Sequence, residues 1–582
     1  MTENIDLENE ELQNALQIIQ YTRRSLFLTG KAGTGKSTFL RYIAAHTKKK
    51  HVVLAPTGIA AINAGGSTLH SFFKLPFYPL LPNDSRFSVR NIRQTLKYNS
   101  EKIKLLKEVE LIIIDEISMV RADIIDFIDK VLRVYNRNMR EPFGGKQLLL
   151  VGDIYQLEPV VREDDRKLLS PFYSSSFFFD AKIFNQFQLV SIELKKVYRQ
   201  SDPVFINILD HIRTSQASSA DFNLLNQRVG ANLAHGESKL SITLSTRRDT
   251  VDYINENKLK ELPGEPSLFR GSIEGEFPES SLPTPIELYL KVGAQIIFIK
   301  NDIDHQWVNG TLGTIIGFDD EEEDNRIYVK TENGEEVVVE PAAWSNMRYH
   351  FNETEKKIEE EEIGRYLQYP LRLAWAITVH KSQGLTFNQV KIDFTGGVFA
   401  GGQTYVALSR CTSLEGISLK EPIQLRDVFV RNEVKQFARH YNDHNIIQTA
   451  LVQSKADKQY HDASVAFDKG DMQGALDNFF LAIHSRYDIE HPVAKRFLRK
   501  KLNTINLLRA ENQQLREVIA QKDKEKKKQE AFLKKLAAEY TLLGKECEKE
   551  NIRSAAINNY KKALELWPEH PEAKRRLKKL EK

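Results

Sequence analysis

Residues 25–38 read SLFLTGKAGTGKST, and they hold the groups best suited to chemistry. Gly30, Gly35, Lys36 and Ser37 fit the pattern G-x-x-x-x-G-K-[ST], with Gly33, Thr34 and Thr38 completing the loop and its exit. Glycines let successive backbone N–H groups turn toward one anion, and a helix N-terminus adds its dipole. Lys36 can reach the outer phosphates of a nucleotide, and the Ser37 hydroxyl can ligate magnesium. Further on, the apolar run ELIIIDE ends in Asp115 and Glu116. The first acid can hold magnesium through water, and the second can orient or deprotonate an attacking water. Gln156 follows the run QLLLVGD, where a glutamine can sense an intact γ-phosphate. Arg199 ends VSIELKKVYR. There it can neutralise charge on that phosphate from across a cleft, or form an ordinary surface ion pair. Gln13 precedes the loop and either reads an adenine edge or faces solvent.

These groups need a frame. Leu12, Leu16 and Ile19 recur at helical spacing over residues 5–20. Residues 26–28 predict a buried strand and 39–47 a helix. Residues 52–57, 110–116, 147–153 and 190–199 add four more strands, apolar enough for a parallel sheet covered on both faces. GIAAINAGGSTLHSFF follows the second strand, and its Gly, Thr and His residues are placed in a turn where open α/β sheets meet ligands. Residues 74–100, rich in Pro, Phe and Tyr, predict a small inserted subdomain. The second half repeats the rhythm: a strand at 240–245, a helix at 250–262, strands at 373–379 and 390–394 with VHKSQGLT between them, and YVALSR as a helix ending in a buried Arg410. Two such blocks predict paired lobes with nucleotide between them. Residues 288–345 switch to short alternating runs, which predicts a small all-β barrel. The acidic stretches 319–324 and 359–362 belong on its outer face.

Beyond residue 440 the chain reads as helical. Ala463, Ala475, Phe479 and Ala482, and again Gly544, Ala556, Tyr560, Ala563 and Pro568, have the spacing of tetratricopeptide helix pairs. Leu498, Ile505, Asn512 and Ile519 fall seven apart, as do Leu508 and Leu515. That spacing suits a two-helix seam with a register-setting Asn512, or helices packed within the one chain. From residue 495 onward, 25 Lys and Arg stand against 13 Asp and Glu, or +12. The whole chain carries only +4, so the remainder is about −8 and any nucleic-acid groove in it must be local. The basic tail either meets phosphates or is a solvated helical surface. At 582 residues there is room for three to five domains, and no run of eighteen apolar residues predicts a membrane helix. The acidic N-terminus has no apolar core, and Cys411 and Cys547 are the only cysteines. Neither a secretory route nor a disulfide framework is expected, and a bacterial cytoplasm fits.

Taken together, GKAGTGKS, APTGIAA with STLHSFF, IIIDEISMV, FGGKQLLLVGDIYQL, VYRQ, AWAITVHKSQGLT and YVALSRC stand in an order that resembles one family. It is the petite-integration-frequency (PIF) DNA helicases of superfamily one, with RecD-like enzymes as cousins. The resemblance covers roughly residues 10–430, and residues 117–138 resemble that family's signature helix. Glu158 departs from it, standing where the family usually has proline. The resemblance implies an α/β fold of two RecA-like P-loop lobes: residues 1–73 with 101–185, and 186–287 with 365–440. It also implies a wedge at 74–100 and a barrel at 288–364; the helical, tetratricopeptide-like region at 441–582 lies beyond it and rests on its own spacing. Function follows the same resemblance: ATP and Mg2+ as cofactors, and a monomer that moves five-prime to three-prime on single-stranded DNA and unwinds duplex, forked or otherwise structured DNA. Gln13 would contact adenine, Lys36 the phosphates, and Ser37 and Asp115 the metal. Glu116 would direct the water, Gln156 would sense the γ-phosphate, and Arg199 and Arg410 would be arginine fingers. Thr57 and His70 in one lobe, and His380 and Lys381 in the other, would grip the strand. Two other functions stay open: a translocase that does not unwind, and a scaffold whose C-terminal helices bind a protein while the ATPase is ancillary.

Overall fold

A computed structural model describes the chain apart from residues 1–5, 7, 77, 201, 234–239, 303, 320–325, 356, 487–491 and 582. Its contacts divide into two units, Met1–His461 and Asp462–Lys582, each described by itself.

In the first unit, six strands pair in the order Ser67–Thr68, His51–Ala55, Leu111–Ile114, Gln147–Val151, Leu26–Gly30 and Val190–Leu194. All the pairings are parallel. Leu26–Gly30 and Gln147–Val151 are buried throughout, as a sheet covered on both faces requires. Val190–Leu194, assigned above to the second lobe, instead pairs with Leu26–Gly30 and ends the first sheet. A boundary drawn between motif blocks cannot see that pairing, which is a tertiary contact. A second parallel sheet orders Ala376–Thr378, Ile242–Ser245, Val390–Asp393 and Ile417–Leu419 around its own core.

The one strand expected at 373–379 is divided: its first residue ends a strand Leu371–Leu373, and a second strand is Ala376–Thr378. Leu371–Leu373 pairs with Gln295–Phe298, and Ala376–Thr378 joins Ile242–Ser245. The Asn255 amide makes the break tolerable by pairing with both backbone groups of Ala376, each at 2.9 Å. Residues 58–73 also differ from the expected turn. They form helices Gly58–Ala64 and Leu69–Phe73, capped by the hydroxyls of Thr57 and Thr68.

The alternating runs after residue 288 become a five-stranded antiparallel sheet with a separate core around Leu290, Ile296, Phe298 and Val329. A long hairpin, Ala342–Asn352 with Lys357–Gln368, was not anticipated. It reaches back to the first lobe, where Tyr349 sits in the core. Its hydroxyl accepts from Val53 N–H (3.2 Å) and donates to the Val53 carbonyl (3.3 Å). Glu360, Glu361 and Glu362 are exposed on this hairpin, while residues 320–325 of the other acidic stretch lie outside the described residues.

Residues 74–100 contribute Leu80, Phe87, Ile92 and Tyr98 to the first lobe's core. They are tied to the helix Ala122–Asn136 by Asp123, which is buried. Its carboxylate takes two hydrogen bonds from Arg121 (2.9 and 2.8 Å) and one from Leu80 N–H (2.9 Å). In the second unit, Ala537, Ala556, Tyr560, Ala563 and Ala573 make one small core, and a Cβ on Gly544 would lie 2.6 Å from the Tyr560 ring. Among the described residues, no helix is long and apolar enough to cross a membrane.

Asp123→Ala should lower the first urea transition of the full chain by ~3 kcal/mol, because Arg121 and Leu80 N–H lose their shared acceptor. An unchanged transition would show that this tie does not hold the insertion.

Candidate active site

The strand Leu26–Gly30 runs into a loop whose Gly33 and Gly35 have φ of +82° and +84°. That backbone favours glycine, and it turns N–H groups inward ahead of the helix Lys36–His46. The loop is held open from below. Lys36 Nζ donates to the carbonyls of Gly30 (2.7 Å) and Lys31 (2.9 Å), and the Thr34 hydroxyl donates to Lys31 O (2.9 Å). It is also held from across the lobes: Ala32 N–H donates to the Tyr405 hydroxyl (2.9 Å), and Lys31 pairs with Asp210. A Cβ on Gly33 would meet the Arg199 Cβ at 2.4 Å, so that position must be glycine.

A cavity of about 860 Å³ opens above the loop. Of the residues singled out by sequence, Gly33, Thr34, Gly35, Lys36, Ser37, Thr38, Asp115, Glu116, Gln156, Arg199 and Arg410 line it. Thr57, His380 and Lys381, expected in a strand groove, line the same cavity. Gly30 is not in its lining, and neither is Gln13, which is exposed on the helix Glu10–Tyr21 one residue from the lining residue Leu12. His70 stands elsewhere, under the charges of Arg121 and Asp123.

Asp115 and Glu116 follow the buried strand Leu111–Ile114, and Glu116 takes a left-handed backbone (φ +49°). Such strain in a non-glycine residue is held only where its surroundings determine it. Burial raises both carboxyls; for Glu116, burial and then Asp115 push it up to about 7. Burial lowers the Lys36 ammonium, against the pull of Asp153 and Glu116. Ser37 is exposed to the cavity. A hydroxyl and two carboxylates are hard oxygen donors of the type magnesium takes. Among the described residues no group of three His, Cys, Asp or Glu could cage a metal. A site of few protein ligands, completed by water and phosphate oxygens, is how magnesium is usually held.

Opposite stand two guanidinium groups. Arg410 is 1% exposed and donates to the carbonyls of Val406 (3.0 Å) and Leu385 (3.2 Å) and to the Ser409 hydroxyl (3.1 Å). Burial, then Arg199, push it down to about 9. Arg199 donates to Ser409 O at 3.4 Å. These acceptors are neutral oxygens, carbonyls and one hydroxyl.

Sequence reasoning missed two residues. Gln383, inside VHKSQGLT, donates to Glu116 Oε2 (2.9 Å) and to Gln156 Oε1 (3.3 Å), so it bridges the lobes at the candidate base. Arg213, on the helix Pro203–Thr214, pairs with Asp153 (3.0 Å) and Glu193 (2.9 Å). Gln383 lay in a quoted motif without an assigned role, and nothing in the pattern around Arg213 marks it.

Residues 6–227 match the family model described as PIF1-like helicase. The chain is 35% identical over 410 residues to the ATP-dependent DNA helicase PIF1 of Rattus norvegicus, covering 68% of this chain and 58% of that relative. The chain thus spans a little under three fifths of the length of that curated relative. A Pif1 from Bacteroides sp in complex with ADP-AlF4 is 41% identical, with a TM-score of 0.68, covering 76% of this chain and 98% of that one. The same identity and coverage hold for Bacteroides Pif1 bound to ssDNA, at a TM-score of 0.55. On this likeness, which covers about three quarters of its length, the chain belongs to the PIF1-like helicase family.

Proposed function

We propose that the protein is an ATP-dependent DNA helicase that moves five-prime to three-prime along single-stranded DNA and opens duplex or forked DNA ahead of it. The observation that carries this reading is the cavity in which Arg410, and Arg199 at the crossing between the lobes, face Lys36, Asp115 and Glu116. The ADP-AlF4 and ssDNA complexes of the Bacteroides relatives support both ligands.

The loop N–H groups and Lys36 would bind the outer phosphates, and Glu116, kept proton-hungry by burial beside Asp115, would orient and deprotonate the attacking water. Magnesium held by Ser37 and Asp115 would offset charge on those phosphates. Gln383, whose amide also donates to Gln156, donates to the Glu116 carboxylate. Arg199 and Arg410 repel one another while they donate to neutral carbonyl and hydroxyl oxygens. An anionic γ-phosphate between them gives the closed arrangement a contact that the open one lacks, which is what a ligand needs to shift a two-state equilibrium. Thr57 on the first lobe, and His380 and Lys381 on the second, sit on walls that this closure moves. They are the strand contacts in this reading. His70, beside the Arg121–Asp123 pair that holds residues 74–100, links the strand to the wedge. Opening one base-pair step costs ~1.4 kcal/mol, well within one ATP hydrolysed. Cys411 and Cys547, both free, fit a reducing compartment such as a bacterial cytoplasm.

Arg199→Ala should cut DNA-stimulated ATP turnover by ~10³-fold while nucleotide binding persists; unaltered turnover overturns the proposal. Gln383→Ala should lower kcat roughly tenfold at little cost in KM, since it removes one hydrogen bond to a charged group. If KM alone rises, Gln383 serves binding instead. A duplex with a five-prime tail should be unwound with ATP and one with a three-prime tail should not; the reverse pattern contradicts the assigned direction. Because Leu80 and Phe87 are core residues, the wedge is better tested at exposed Tyr78 and Val89 than by deletion. Tyr78→Ala with Val89→Ser should impair unwinding but spare ATP turnover, and equal loss of both would remove the wedge role.

A further inference from the structure

The helix Pro492–Lys549 runs for 58 residues, and the seven-residue spacing noted in its first half is not used inside the chain. Leu508, Leu515 and Ile519 are 56%, 61% and 59% exposed, and Asn512 is exposed beside them. From Leu508 to Ile519, then, these positions are not covered by the chain's own described residues, while Ile505 is half-buried. We propose that this stripe, from Ile505 to Ile519, forms a parallel two-stranded coiled coil with a second copy of this chain.

Four observations select that occupant. Ile505, Asn512 and Ile519 occupy the a positions and Leu508 and Leu515 the d positions, and β-branched a with Leu d favours two strands. Asn512 at a central a position can pair with its own copy only when the helices are parallel and in register. Glu511 falls at g and Arg516 at the following e, so a parallel pair brings Glu511 of each helix beside Arg516 of the other. An antiparallel pair would bring like charges together along the same flanks. The seam also has natural ends. Lys501, at the d position before Ile505, is buried and committed to Asp468 at 2.7 Å. Lys522 and Lys526 take the d and a positions after Ile519, where like charges repel. So short a seam gives a weak, concentration-dependent pair, in place of the single-chain state expected from the family resemblance. Parallel order puts the same end of both helices together.

Sedimentation equilibrium of the full chain without DNA, up to tens of micromolar, tests the proposal. The expected result is a mass approaching two chains that halves for Leu508→Glu with Leu515→Glu. Both positions are exposed, so the change should leave helicity intact. Phe532→Glu, exposed on the same helix beyond the seam, should leave the doubled mass unchanged. In a Cys547→Ser background, Leu515→Cys should form a disulfide between chains on oxidation, since parallel register sets the two residues side by side. A single-chain mass throughout overturns the proposal, as does pairing that survives the double Glu change or pairing without the disulfide.

Discussion

Arg213 leaves a helix whose apolar face, Phe205, Ile208, Leu209 and Ile212, packs in the second lobe's core, and its guanidinium enters the edge of the first sheet. There it meets Asp153 after one strand and Glu193 on another, with the Tyr155 ring 4.4 Å below. The Arg213 and Asp153 side chains are 4% and 0% exposed, so each charge depends on the other. Losing one partner of such a pair costs ~3–5 kcal/mol, because the survivor stays buried and unpaired. The consequence reaches the chemistry. Asp153 accepts from the Gln156 amide, Gln156 meets Gln383, and Gln383 holds Glu116. The candidate base thus takes its position from an ion pair that joins the lobes.

Two kinds of contact cross the cleft, and they differ in what can release them. Some are steric and fixed. A Cβ on Gly402 would lie 2.0 Å from the Gln156 carbonyl, so the backbones approach there as only glycine allows. The Arg213 pair is of the same fixed kind. Others are exchangeable: Arg199 and Arg410 rest on carbonyl oxygens, which a phosphate oxygen outcompetes for a cation. The cleft thus combines cross-lobe contacts fixed by close packing and a buried ion pair with weaker ones at its two cationic groups.

The parts legible in the sequence are those in which one residue's role depends on its near neighbours. A P-loop needs its glycines, lysine and serine within a few positions, and a strand buried on both faces needs an unbroken apolar run. The first-lobe strands and the loop from Gly30 to Thr38 were visible for that reason. Arg213, Gln383 and Tyr349 were not, because each acts on residues far away in the chain. Tyr349 bonds Val53, 296 positions distant. The strand Val190–Leu194 shows the same limit: its apolar pattern announces a strand, but only its pairing with Leu26–Gly30 says which sheet. The expected strand 373–379 fails in the opposite sense, since the run from Leu371 to Thr378 serves two sheets and Asn255 pairs with Ala376 at the break.

Glu158 carries the point further, because there the motif misses what the fold uses. The resemblance leads one to expect proline, which would stiffen the loop after Gln156 and donate nothing. The carboxylate instead accepts from Arg431 Nε (3.2 Å) and Nη2 (3.3 Å). Arg431 precedes the helix Asn432–Ala438, whose Val434 joins the first lobe's core and whose Phe437 stacks on Phe179 at 4.4 Å. The end of the second lobe is thereby returned to the first, two residues from the candidate γ-phosphate sensor. Loop stiffness that a proline would supply locally is supplied here by a tertiary ion pair. A departure from a family pattern can therefore mark a substitution of means, and only the fold identifies the partner that makes it work.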